Sequence, residues 1–242
     1  MNAALAAAAT LVASAFALST LDRWLRRRRP HDLAWTVSLG LFAVGAAALW
    51  WAESVGWGLG AFRVFYLAGA ILNVPWLALG TIYLLADRLA VDQGFVDRVR
   101  GWLIFASGFA AGVVLFAPTR TRVTGDELPT GKDVFGVAPR VFAAVGSGVA
   151  AVIIVAGGVW SAWRPRRSGL HLVIGNLLIA VATLILSASG TLAGRLGKDR
   201  AFAITLLIGI CVLFAGFLIA TARVIATAQV ATAQVAEKTS AR

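Results

Sequence analysis

The apolar stretch 59–86 holds the polar side chains with which this chain could do chemistry. Arg63, Tyr66 and Asn73 lie in it, close to Pro75. At about 100° of turn per residue, the three polar residues share one side of a helix with small residues. A guanidinium, a phenol and an amide on one face can hydrogen bond to a ligand or to a neighbouring helix. We therefore expect a central helix whose polar side faces the rest of the protein.

A matching arc occurs on a later apolar run, 170–193, where Asn176, Thr183 and Ser187 share a narrow face. We expect Asn73 to face this arc and the last helix, hydrogen-bonded or lining a small cavity, since an unpaired amide in hydrocarbon costs several kcal/mol. Hydrogen bonding between helices, worth about 1 kcal/mol, is the commoner use of such residues. Ligand binding is the alternative. Pro75 should kink its helix near the middle, because it removes a backbone hydrogen bond.

Arg63 has a second candidate partner in Glu53, which ends the preceding apolar run. The two residues lie on either side of a short turn and are predicted to form an ion pair that fixes this turn. The alternatives are that Arg63 binds an anionic ligand, or that its side chain extends to the membrane interface.

Other chemistries lack the residues they need. The two histidines, His31 and His171, both begin helices, where histidines are common without haem. With one cysteine, Cys211, they leave little material for a metal site. Ser147 in VGSGV resembles the nucleophile of membrane serine proteases, but Val145 stands where their GxSG motif needs its first glycine. We see no carboxylate deep in a helix for acid–base work. We expect neither an enzyme nor a cofactor.

Composition decides the class of protein. Apolar residues make up 60% of the chain and charged residues 14%, and the mean hydropathy is +0.83. A soluble surface needs far more charge, so the chain is predicted to be an all-α integral membrane protein. The net charge of +11 is better explained by attraction to anionic lipid head groups than by nucleic acid.

Seven apolar runs have spanning length, against about 20 residues for a hydrocarbon core. Lys and Arg number 14 in the segments on one side and 8 on the other, which predicts an outer N-terminus and an inner C-terminus. We expect a single multi-pass domain, 1–225, in a cytoplasmic membrane, followed by a short cytoplasmic tail, 226–242. The seven predicted helices are 2–21, 33–52, 59–86, 102–118, 141–162, 170–193 and 201–222.

Seven helices with an outer N-terminus resemble rhodopsins, but a retinal Schiff base needs a lysine in the last helix, 201–222, which has none. We expect instead a protein that binds a small apolar or lipid-like molecule between the third, sixth and seventh helices, for sensing or transport. The alternative is an accessory or scaffold subunit of a larger membrane complex. Gly108 and Gly112, spaced for close helix contact, favour this alternative. The outer loop 119–140 would cap the bundle or dock a partner.

Overall fold

The computed structural model describes residues 2–125, 127–163, 174–175, 177–186 and 201–219. Regular structure in these residues is helical, apart from an isolated bridge between Thr119 and Phe135. Between α3 and α4 the chain forms a π helix, Tyr66–Leu72. The α-helices are α1 (Asn2–Arg27), α2 (Pro30–Val55), α3 (Leu59–Phe65), α4 (Asn73–Leu89), α5 (Gln93–Phe116), α6 (Gly131–Val134), α7 (Val137–Trp163), α8 (Leu177–Leu186) and α9 (Ala201–Ile219).

Six helical segments are long and apolar enough to cross a membrane. They are α1, α2, α5, α7, α9 and the continuous segment Leu59–Asp87, which we call the third span. The all-α class and the multi-pass membrane character expected from the sequence are thereby confirmed. The shorter apolar helix α8 falls within the predicted run 170–193. Apart from 174–175, the rest of that run lies outside the described residues, as does the tail 226–242.

α1 and α2 form a tight antiparallel hairpin. Arg28, between them, takes the left-handed conformation at φ 52°, and its N–H bonds to the Trp24 carbonyl at 2.7 Å. Pro30 then begins α2, where its missing N–H is not needed. The two helices pack closely because the residues of α1 at the contact, Ala9 and Ala13 among them, are small and fully buried.

The third span lies at the centre of the described helices, in contact with α2, α5 and α7. Its approach to α2 is close. A Cβ atom on Gly45 of α2 would lie 3.2 Å from the Cα atom of Gly69, so the two backbones nearly touch. Nearer the other end, Gly80 packs against the indole of Trp35. The central position expected for this segment is what the structure shows.

The connection 117–136 folds over one end of the bundle, which we call the loop end. Phe135 is completely buried, with its ring 5.4 Å from that of Phe62. The backbone N–H of Trp57 donates to the Gly125 carbonyl at 2.7 Å and connects this segment to the start of the third span. The segment Arg26–Arg29 marks the opposite end, which we call the basic end. The connection is thus a packed cap and not a loose linker.

Candidate functional site

The third span is irregular where Pro75 interrupts its hydrogen bonding. The N–H of Asn73 bonds five residues back, to the Ala68 carbonyl, as in a π helix. Pro75 has no N–H, so the turn before it lacks one backbone donor. The Ser147 hydroxyl of α7 donates to the Ala70 carbonyl in this turn, at 2.7 Å. A neighbouring helix therefore supplies a hydrogen-bond donor to the turn before the proline.

A second serine binds the same break from α2. The Ser38 hydroxyl donates to the backbone carbonyl of Asn73 at 2.7 Å, in a buried contact. Asn73 is itself 8% exposed, and its side-chain oxygen Oδ1 is buried without a hydrogen-bond partner among the described residues. A buried amide oxygen is normally paired. The break in the third span thus carries a buried acceptor that no described residue pairs.

Arg63 binds the end of α5. Its Nη2 atom donates to the carbonyl of Ala117 at 2.8 Å, and Ala117 is the residue that follows the last turn of α5. A cation at a helix C-terminus is favourable because the carbonyls there carry negative partial charge. Arg63 Nε is buried without a partner in the described part of the chain. The ion pair with Glu53 stays a prediction.

The other predicted site residues are spread over the bundle. The ring of Tyr66 lies under the loop-end cap, 5.1 Å from the ring of Phe135. Thr183 is buried in α8 and donates to the Ile179 carbonyl of its own helix. Asn176 and Ser187 lie outside the described residues.

The polar residues of the third span meet different neighbours along its length. Arg63 reaches α5, Tyr66 lies under the cap, and the Asn73 backbone carbonyl meets α2. The π helix between Tyr66 and Asn73 has a wider turn than the 3.6 residues per turn that we assumed, so the angle between these two residues differs from the predicted one. Leu77, one turn after Asn73, and Ile179 of α8 pack against the same buried cluster.

A second group of polar residues, which the sequence argument passed over, lies at the basic end. Asp32, in the first turn of α2, is completely buried. Arg23 Nη2 of α1 lies 3.1 Å from Asp32 Oδ1. His31 is also buried, with Nε2 3.8 Å from the same oxygen. The α1–α2 hairpin brings the three together, since all lie about one turn from it.

Aromatic rings enclose this group. The Arg23 guanidinium lies over the ring of Phe217 in α9, at 4.6 Å. Trp35 makes edge contacts with His31 at 5.3 Å and with Phe217 at 5.8 Å. Hydrogen bonding is incomplete: both Asp32 oxygens, Arg23 Nη1 and His31 Nδ1 are buried without hydrogen-bond partners among the described residues. The Arg23–Asp32 contact is thus an ion pair by distance that leaves both groups with unused hydrogen-bonding capacity.

Within the described residues, no three histidine, cysteine or acidic side chains come together as a metal site would require. Comparison with models of known protein families, with characterised proteins and with solved structures finds no match. A function for this chain therefore has to be argued from the break in the third span and from the charged group at the basic end.

Proposed function

We propose that this membrane protein is a non-enzymatic binding protein that holds a small apolar or lipid-like molecule within its helix bundle, beside Asn73. The proposal rests on one observation. Asn73 Oδ1 is a buried acceptor without a described partner, at a π-helical break. π-Helical turns inside α-helices are frequent at functional sites.

The surroundings favour an apolar ligand with one hydrogen-bond donor, such as a hydroxyl. The donor would pair with Asn73 Oδ1, while the ligand body would contact the apolar side chains one turn along, Leu77 and Ala78. Phe135 is completely buried at the loop end, which favours entry from the lipid side over entry from water. Binding of this kind suits sensing or transport of a lipid-like molecule.

Native mass spectrometry of the gently solubilised protein tests this proposal. We expect the wild type to retain a small molecule, and Asn73→Leu to lose it. Val64→Leu, on the exposed side of the same span, is the control and should retain it. Asn73→Ser, which keeps a polar group in a smaller side chain, should retain a reduced amount. Equal retention in Asn73→Leu, or no bound molecule in any preparation, would overturn the proposal.

The membrane arrangement is part of the same proposal. We infer seven spanning helices, with the run 170–193 as the sixth, an outer N-terminus and an inner C-terminus in a cytoplasmic membrane. The excess of Lys and Arg on one side supports this orientation. Arg26–Arg29 are exposed at the basic end, where they would contact anionic lipid head groups.

An accessory subunit of a larger membrane complex is the second candidate. It is favoured by α5, of which only 11% of the apolar window is buried within the structure. Side chains added at Gly108 or Gly112 would meet nothing within 4 Å, so a helix of a partner protein could approach there closely. If a partner protein binds at this face, Gly108→Leu should reduce the size of the complex that contains this protein on native gels of mildly solubilised membranes. Asn73→Leu should leave that size unchanged.

A further inference from the structure

The hairpin between α1 and α2 carries more positive charge than its own acidic residues balance. Residues 22–32 hold five arginines and two aspartates. Each aspartate has an arginine partner: Asp32 lies 3.1 Å from Arg23, and Asp22 lies 2.9 Å from Arg26. Three arginines therefore remain without a carboxylate partner in the described part of the chain. They are consecutive and exposed: Arg27, Arg28 and Arg29.

The backbone holds these three arginines in one tight turn. Arg27 ends α1, Arg28 takes the left-handed conformation at φ 52°, and Arg29 is extended and leads into α2. The guanidinium of Arg28 lies over the ring of Trp24 at 4.6 Å, which fixes this side chain against α1. Arg27 and Arg29, on either side of it, both act electrostatically on Arg23. Like charges gathered in one turn repel one another, so an anion bound there would be stabilising.

An apolar stripe on α1, which we call the leucine stripe, leads to this turn. Leu11, Leu18 and Leu25 recur every seven residues and therefore share one side of the helix. They are 72%, 64% and 51% exposed. At 1.5 Å per residue the stripe is about 21 Å long, which is more than half of a hydrocarbon core of about 30 Å. It offers an acyl chain a path along α1 that ends beside the arginines.

We propose that the α1–α2 hairpin binds one anionic phospholipid, whose phosphate group is held by Arg27 and Arg29 while an acyl chain lies along the leucine stripe. A guanidinium can donate two parallel N–H bonds to phosphate oxygens. Trp24 is of the type enriched at the boundary between hydrocarbon and head groups, so the arginines next to it lie at the depth of a lipid phosphate. This site deepens the contact with anionic head groups proposed above and rests on it, but it is separate from Asn73.

The hairpin is suited to one defined lipid and not only to diffuse attraction. Its two helices are joined just inside the turn by the Arg23–Asp32 pair and, about one turn further in, by the hydroxyls of Thr36 and Thr20 at 3.0 Å. A turn held in this way keeps the guanidinium groups in place before the lipid arrives, which lowers the entropic cost of binding. Free phosphate could bind the same arginines, but it would make no use of the leucine stripe.

Native mass spectrometry of the detergent-solubilised protein tests the proposal. The protein is titrated with deuterated phosphatidylglycerol in the presence of an equal amount of phosphatidylcholine, and the deuterium label distinguishes this lipid from any molecule bound beside Asn73. We expect the wild type to retain one phosphatidylglycerol in preference to phosphatidylcholine. Arg27→Gln combined with Arg29→Gln should raise the apparent Kd for phosphatidylglycerol roughly tenfold or more, since two charged hydrogen-bond donors are lost.

Arg98→Gln combined with Arg100→Gln is the matched control. Both arginines lie in the first part of α5, where Val96 belongs to one buried cluster with Ala34 of α2, so the control removes two charges from the same end of the bundle. Arg98 donates to a carbonyl of its own helix and Arg100 pairs with a neighbouring aspartate. The apparent Kd should change by less than about twofold. Equal losses in the two double variants, or no preference for phosphatidylglycerol in the wild type, would overturn the proposal.

Two further arms identify the ligand and separate the two proposals. Inorganic phosphate in large excess should not displace phosphatidylglycerol, because it makes no contact with the leucine stripe. Displacement would assign the arginines to free phosphate and overturn the lipid site. Asn73→Leu should retain phosphatidylglycerol as the wild type does, whether or not a molecule binds beside Asn73. Loss of phosphatidylglycerol in Asn73→Leu, with full retention in the Arg27 and Arg29 double variant, would place the lipid in the bundle and not at the hairpin.

Discussion

The Ser147 hydroxyl lies 2.7 Å from the Ala70 carbonyl and joins α7 to the third span. This contact lies in the turn before Pro75, and Ser38 makes a comparable bond to the Asn73 carbonyl from α2. In a membrane, irregular helical segments are stabilised by hydrogen bonds from neighbouring helices and from Ser and Thr side chains. The two serines therefore hold the irregular segment in place and, with it, the position of the Asn73 side chain.

Ser147→Ala should destabilise the protein by about 0.5–1.5 kcal/mol, because it removes a hydrogen bond between two helices. The measurement is the free energy of unfolding in mixed micelles. Ser54→Ala is the control. The Ser54 hydroxyl is exposed and bonds to a carbonyl of its own helix, so its loss should change the free energy by less than about 0.5 kcal/mol. Equal effects of the two substitutions would contradict the role given to Ser147.

The buried pair at the basic end predicts a different pattern. Arg23→Met should cost about 3–5 kcal/mol of stability, since it leaves Asp32 buried and without its counter-ion. Adding Asp32→Leu should restore most of this loss, because neither charge is then left alone. Arg26→Met removes the exposed pair with Asp22 and should cost no more than about 1 kcal/mol. If the double variant were less stable than Arg23→Met, the description of Arg23 and Asp32 as a buried pair in which each charge compensates the other would be contradicted.

The positions of the six spans follow from the apolar runs, because only helices satisfy their own backbone hydrogen bonds in lipid. The helix ends do not follow in the same way. α1 continues to Arg27 and α5 begins at Gln93, whereas the apolar runs predict 21 and 102. Hydropathy marks the part of a helix that lies inside the hydrocarbon, whereas the helical backbone hydrogen bonds continue past the end of the apolar run.

The sequence predicts that the polar residues inside the apolar runs have partners within the protein, but it does not predict which residues those partners are. Polarity inside an apolar run correctly indicates that Asn73 is buried, but the run does not indicate the π helix, which changes the angle between Tyr66 and Asn73 from that of a regular α-helix. The pairing of Arg23 with Asp32 depends on a hairpin closed by Arg28 in a left-handed conformation. Glycine or asparagine usually signals such a turn, and four arginines in a row give no such signal.

The role of Arg63 can be separated from that of Glu53 by a double-mutant cycle. Arg63→Ala should destabilise the protein by about 1.5–3 kcal/mol, since it removes a charged hydrogen bond to the end of α5. If the predicted ion pair also forms, the cycle with Glu53→Ala should give a coupling energy of about 0.5 kcal/mol or more. A coupling near zero would leave the bond to the Ala117 carbonyl as the role of Arg63.

The proposed orientation is tested by cysteine labelling in intact cells, in a Cys211→Ser background. Lys132→Cys lies in the exposed part of the loop-end cap and Arg27→Cys at the basic end. With the N-terminus outside, an impermeant thiol reagent should label the first directly and the second only after permeabilisation. The reverse labelling pattern would show that the basic end lies outside. It would then exclude the proposed contact of the basic end with anionic lipid head groups on the inner side.

The close packing of Gly80 against Trp35 leads to the last prediction. A Cβ atom on Gly80 would lie 2.2 Å from the indole nitrogen, far inside contact distance. The indole cannot simply move aside, because the rings of His31 and Phe217 lie against it. Gly80→Ala should therefore destabilise the protein by about 1–3 kcal/mol, the usual cost of overpacking. It should also perturb the His31 imidazole signal in nitrogen-15 NMR, since strain at the indole is passed to its neighbour.

Gly40→Ala is the control for this prediction. It lies in α2 as Trp35 does, but an added methyl group there would meet nothing within 4 Å. Alanine in place of glycine in a helix interior is otherwise favourable by about 0.5–1 kcal/mol, so Gly40→Ala should be neutral or stabilising and should leave the His31 signal unchanged. If Gly80→Ala proved as stable as Gly40→Ala, the third span could not lie as close to α2 as described. The description of Trp35 as part of the enclosure around the charged group would then be contradicted as well.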